Sequence, residues 1–125
     1  MRWIELNAFT AVFRTHEGLD PAASAQFDTN ADTLAHMRRF GKIYKGLAAY
    51  RKRLIAEATT RGAPVVRHPF LHFPADPNTH NLRYQFMLGP DLMVVPCSTR
   101  ARQVWRPISP PAVNEHICNA TNLSD

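Results

Sequence analysis

The stretch Arg14-Thr15-His16-Glu17-Gly18 sets a guanidinium, a hydroxyl, an imidazole and a carboxyl side by side, directly after the apolar run Phe9 to Phe13. In α/β proteins ligands meet the carboxyl ends of strands, so polar groups massed where a buried run stops are candidates for binding sugar, phosphate or metal. Glu17 is a candidate acid/base, because a carboxyl enclosed in a pocket has its pKa raised. A solvated or arginine-paired carboxylate is the alternative state. Gly18 fits a turn whose backbone angle a side chain would forbid.

A second group of chemistry-bearing residues is His68, His72 and His80 with Cys97, since imidazole and thiolate suit zinc. His68 and His72 are four apart, a spacing that brings ligands together on a helix, but Pro69 lies between them in a run that reads as a strand. No metal site is therefore expected. No serine sits in a nucleophile elbow, and there is no glycine-rich phosphate loop.

The elements that must position these groups are read from periodicity. Leu6 to Phe13 is aromatic and β-branched and too short for a stable helix, which predicts a buried strand. Leu34, Met37, Gly41, Tyr44, Leu47, Ala48, Leu54, Ile55 and Ala58 recur three and four apart, which predicts one long amphipathic helix. Thr29 with Asp32 resembles a capping box, Asn30 is another candidate cap, and Arg61-Gly62 before Pro64 supplies the stop. Pro64 to Phe73 reads as a second strand with an irregularity at Pro69. Strand, crossover helix and strand predict a parallel, right-handed βαβ unit that needs neighbours on its outer edges. Tyr84 to Pro96 reads as a short helical or irregular piece, a Gly89-Pro90 turn and a short strand. From Cys97 onward no period is visible. Asn119-Ala120-Thr121 and Asn122-Leu123-Ser124 are formal glycosylation acceptors read here as chance matches.

With 125 residues, 45% of them hydrophobic and 20% charged, the chain can bury one domain's core. No apolar run approaches the roughly 18 residues that span a bilayer, and Met1-Arg2-Trp3-Ile4-Glu5 lacks the apolar core of a signal peptide, which together lead to an expected cytoplasmic location without a membrane partner. Cys97 and Cys118 are read as reduced thiols. The net charge of +5 concentrates in Arg38, Arg39, Lys42, Lys45, Arg51, Lys52, Arg53 and Arg61, offset by Glu57. Alternation with the apolar stripe makes these the wet face of a helix rather than a nucleic-acid surface.

Beyond this local reading, Arg2-Trp3 with Glu5-Leu6, Ala8-Phe9-Thr10 and Phe13 to Gly18 resemble the late catalytic-barrel segment of glycoside hydrolase family 31. Leu47-Ala48-Ala49-Tyr50, Pro64-Val65-Val66-Arg67 with Phe70-Leu71-His72, and Tyr84 to Pro96 are similar to that family's next blocks, in order. The Arg-Thr-His-Glu-Gly form looks most like the sulfoquinovosidase branch, although the α-glucosidase branch has a similar Arg-x-His. The resemblance stops at about Cys97.

What the resemblance implies is a retaining α-glycosidase on a (β/α)8 TIM barrel, with two aspartates as nucleophile and acid/base, carboxyls roughly 5 Å apart. Both fall upstream of the Arg-Trp motif, so no catalytic residue is expected on this chain. The expected fold is α/β: residues 1–96 are the last βαβ unit or so of the barrel, and residues 97–125 are an irregular tail unlike the family. His16 matches the family histidine that hydrogen-bonds the sugar and is the expected substrate-binding residue. A neutral imidazole can both donate and accept, which suits hydroxyl recognition. Arg14 is expected to support it by pinning a neighbouring carboxylate or carbonyl. Glu17 has no acid/base role in the family.

The expected function is that of a fragment of an α-glycosidase of α-glucoside or sulfoquinovoside type, inactive alone and needing no cofactor or metal. Its expected partners are a carbohydrate substrate and a complementary N-terminal fragment, with no nucleic acid. The alternative is a small basic α/β binding module whose long helix contacts nucleic acid or an acidic partner.

Overall fold

A computed structural model describes residues 2–16, 18–20 and 22–96. Glu17, Cys97, Cys118, both glycosylation acceptors and the whole expected tail lie outside the described residues. The chain divides into two compact units, Met1–Val65 and Val66–Asp125. Helices occur in the first and a sheet in the second, so the α/β class holds.

The first unit opens with helix α1, Arg2–Asn7, where the sequence pattern predicts the start of a strand. A short apolar run cannot distinguish strand from helix by period alone, and here the local hydrogen bonds decide. Ala8 N–H reaches the Ile4 carbonyl at 3.3 Å, and Phe9 and Thr10 close tighter turns onto Leu6 and Asn7. The Thr10 hydroxyl lies 2.9 Å from the Asn7 carbonyl and 2.8 Å from that of Val12. Its one proton is shared between an end carbonyl of α1, which also accepts from Thr10 N–H, and a carbonyl of the segment that follows. Ala8 is fully buried, and residues 8–16 continue without regular structure.

The predicted long helix is two helices, α2 (Ala31–Gly46) and α3 (Ala48–Arg61). Asn30 is the N-cap of α2: its side chain accepts from Thr33 N–H at 2.9 Å, while the Thr33 hydroxyl accepts from Asn30 N–H at 3.3 Å. That reciprocal pair is the capping box. Thr29 instead closes a turn onto Gln26, and Asp32 sits in the first helical turn, where the dipole favours an acid. The break falls at Leu47, whose ψ of 6° is not helical. Arg51, assigned by periodicity to the wet face, is 5% exposed. Its Nη2 donates to the carbonyl of Tyr44 in the last turn of α2, one of the oxygens that a helix end leaves without an amide partner. The other cations of the stripe are exposed as expected.

Gly62 ends α3 in the left-handed region at φ 69°, which costs a residue with a Cβ about 1 kcal/mol. Gly62→Ala is therefore expected to lower the unfolding free energy of the helical unit by about 1 kcal/mol, read as a shifted urea midpoint at unchanged slope. At Gly18 no left-handed angle is used, and a Cβ would meet only a serine hydroxyl that a side-chain rotation can move. The described glycines with positive φ are Gly62 and Gly89, whereas a Cβ on Gly18 would stand 2.7 Å from Ser24 Oγ.

In the second unit the predicted strand Pro64 to Phe73 shrinks to β1, Val66–Arg67, followed by a 3₁₀ turn at Pro69–Leu71. Pro69 opens that turn, since its fixed φ suits a first helical position and it has no N–H to contribute to a ladder. His68 Nδ1 accepts from Phe70 N–H at 3.2 Å and caps it. Tyr84 to Pro96 contains two strands rather than one: β2, Phe86–Leu88, and β3, Leu92–Val94. They form a hairpin with Leu88 opposite Leu92, turning through Gly89 at φ 61°. The sheet order is β1-β2-β3 and both pairings are antiparallel. The parallel βαβ crossover is thus absent among the described residues, because what reads as a lone third strand is a hairpin that supplies its own partner. Met87 and Leu88 are fully buried at its centre.

Candidate functional site

Arg14 and His16 lie in the irregular segment after α1, which is placed by contacts of α1 with α2 and by two contacts of its own with Tyr44. Glu5 of α1 stands 3.6 Å from Arg2 and 3.3 Å from His36 of α2, and the His36 ring is tilted against Phe40 at 4.8 Å. Further along, the Phe13 ring stacks on Tyr44 of α2 at 5.1 Å and 23°. The Tyr44 hydroxyl donates to the Ala11 carbonyl at 3.0 Å. Beyond Phe13 the chain reaches Arg14 and His16, both exposed.

Arg14 Nη2 lies 3.1 Å from His16 Nδ1. A guanidinium has only donors, so Nδ1 must present its lone pair, and the proton of a neutral imidazole then resides on Nε2. A guanidinium donor at Nδ1 goes with the tautomer that carries its proton on Nε2, where it can be donated. Among the described residues, Arg14 meets the His16 imidazole.

The histidines of the metal candidate are occupied individually. His68 Nε2 stands 2.7 Å from the Leu82 carbonyl while its Nδ1 caps the 3₁₀ turn, His72 Nε2 faces Arg67 Nη1 at 3.3 Å, and His80 Nε2 faces the Pro74 carbonyl at 3.0 Å. Among the described residues no group of three His, Cys, Asp or Glu side chains could hold a metal ion. A hollow of about 250 Å³ in the second unit is walled by residues that include Arg83, Tyr84 and Gln85. Its lining holds no carboxyl or imidazole among the described residues, and Tyr84 contributes a phenol.

Sequence reasoning missed Tyr44 and Arg51 as members of this assembly. Periodicity treats Tyr44 as one more apolar residue and Arg51 as one more wet cation; neither a hydroxyl's target nor a helix break leaves a periodic trace.

The sequence profile described as Glycosyl hydrolase family 31 C-terminal domain matches residues 62–110, running past Pro96. The sulfoquinovosidase of Escherichia coli K12 is 40% identical over 105 residues, which make up 84% of this chain and 16% of that protein. The sulfoquinovosidase of Agrobacterium fabrum is 45% identical over 96 residues, 77% of this chain and 14% of that protein. Among solved structures, a family 31 sulfoquinovosidase from E. rectale, in complex with the aza-sugar inhibitor IFGSQ, superposes with a TM-score of 0.75 at 34% identity. It covers 77% of this chain and 14% of its own. The chain thus spans about one sixth of the length of its first curated relative.

Proposed function

Because this chain is homologous to the glycoside hydrolase family 31 glycosidases, we propose that it contributes one substrate-binding histidine and part of the scaffold to a retaining α-glycosidase. The helical unit forms an arc of the catalytic barrel, and the sheet unit opens the C-terminal domain, a reading supported by the profile match over residues 62–110. Residues supplied from outside this chain provide the two carboxyls, one attacking the anomeric carbon and the other protonating the leaving oxygen, then activating water. His16, its Nδ1 held by Arg14, donates Nε2–H to a hydroxyl of the sugar being cleaved. Such bonds strengthen as the ring takes on oxocarbenium character. No cofactor enters this chemistry. The observation that carries the reading is an exposed Arg14–His16 pair in a stretch 40% identical to a sulfoquinovosidase. Both curated relatives named above bear that activity, which favours a sulfoquinovoside over a plain α-glucoside.

The test is a chimaera of the E. coli sulfoquinovosidase in which residues 1–96 of this chain replace the matching stretch. Hydrolysis of a chromogenic sulfoquinovoside by the chimaera, with none by the lone chain, is the expected result. A folded but inactive chimaera, or turnover by the lone chain that vanishes when one of its own carboxylates is amidated, overturns it.

A further inference from the structure

Tyr44 makes contacts in three directions: its hydroxyl goes to the Ala11 carbonyl at 3.0 Å, its ring stacks on Phe13 at 5.1 Å, and the Arg51 guanidinium carbon sits 3.4 Å from its ring centroid. Arg51 also donates to the Tyr44 carbonyl, so one guanidinium holds both the backbone and the ring of the same residue. The arrangement exists only because α2 stops at Gly46; in an uninterrupted helix that carbonyl would accept from the amide four residues on. It also leaves Arg51 Nη1 buried without a hydrogen-bond partner among the described residues. Burying a donor in that state opposes stability, so a purely packing role would be better served by an aliphatic side chain.

Ala11 and Phe13 are the last residues before Arg14 that any element of the first unit grips. We propose that Tyr44, clamped by Arg51, is a positioning residue that sets the presentation of the Arg14–His16 pair. The proposal deepens the glycosidase reading and rests on it for the role of His16. Tyr44 and Arg51 act through the backbone at Ala11 and the ring of Phe13. Two separable actions result. The hydroxyl fixes where the segment lies along α2, and the cation-backed ring fixes which way Phe13, and hence the following residues, turn.

The experiment has two arms. In the full chain, limited trypsin digestion followed by mass spectrometry compares cleavage after Arg14 with cleavage after the exposed Arg61 in the same unit. Tyr44→Phe, which keeps the ring and removes the hydroxyl, is expected to raise the Arg14 rate roughly 3- to 10-fold relative to Arg61, the factor that one net hydrogen bond is worth. Tyr44→Leu is expected to raise it further, with helicity by circular dichroism unchanged in Tyr44→Phe. An unchanged cleavage ratio in both variants overturns the proposal.

In the chimaera, Tyr44→Phe is expected to lower kcat/KM several-fold on its own and to have no further effect in a His16→Ala background. A residue acting through His16 loses its influence once His16 is gone, whereas general destabilisation persists additively. Equal effects in both backgrounds therefore overturn the proposal. Should His16→Ala alone leave activity intact, the substrate role of His16 falls, and the trypsin arm still decides whether Tyr44 orders the segment.

Discussion

Leu88→Ala is expected to cost about 3 kcal/mol and to abolish the fold of the sheet unit. Leu88 is fully buried and stands at the middle of the sheet, opposite Val66 on one side and Leu92 on the other. Its truncation removes apolar burial from both pairings and leaves a cavity that strands of two and three residues cannot close by shifting. So short a sheet has little ladder energy to offset the loss, since three or more strands with a buried face are about the minimum for independent stability. Hydrogen exchange read by mass spectrometry on the full chain checks this: the peptide covering Phe86 to Val94 should lose its protection in the variant. Retained protection there would contradict the assignment of Leu88 as the centre of this core. Leu71→Ala, at a site 55% exposed, supplies the control and should change stability by no more than about 0.5 kcal/mol.

His16→Ala in the chimaera is expected to reduce kcat/KM for the sulfoquinovoside by about 10- to 100-fold, the equivalent of about 1–3 kcal/mol for a hydrogen bond lost at a desolvated hydroxyl. His16→Gln should recover part of this, since its amide N–H can still donate. Arg14→Gln should show a smaller loss. Without the guanidinium at Nδ1 the imidazole is free to place its proton on either nitrogen, and only one tautomer donates toward the sugar. If Arg14→Gln and His16→Ala proved equally damaging and their double variant no worse than either, the pair would act as one unit. If Arg14→Gln alone were silent, tautomer selection by Arg14 would be wrong.

The two ends of the long helical stretch were legible, while the joint inside it, α1 and the sheet were not, and the reasons are physical. Asn30 as a cap and Gly62 as a stop are local chemistry, decided by side chains within one turn, and both stand where the sequence places them. The joint at Leu47 escaped notice because apolar positions on either side keep helical spacing across it, and the event itself is a guanidinium reaching seven residues back to a carbonyl. Leu6 to Phe13 reads as a strand because a short apolar run fits either period; turns onto Leu6 and Asn7 settle the matter without altering composition. Tyr84 to Pro96 hid a hairpin because each strand has only three residues, too few for alternation to stand out. Arg14 beside His16 is legible as residue types and within a resemblance in order of blocks. The contact between them is not, because an arginine's partner depends on where the backbone turns between positions two apart.

The single-residue joint between α2 and α3 bears on how the sequence is allowed to drift. Each residue advances a helix by about 100°, and the Arg51–Tyr44 tether spans the joint with a fixed count of residues between its ends. One codon gained or lost between them would swing Leu54, now 3% exposed, out toward water and carry the guanidinium off its carbonyl in the same stroke. Point changes at Lys45, Gly46 or Ala49 are tolerable by comparison. Natural variants of this stretch should therefore differ in spelling but keep the same number of letters from Tyr44 to Arg51, and an engineered frame-preserving insertion there should be rejected far more strongly than any substitution.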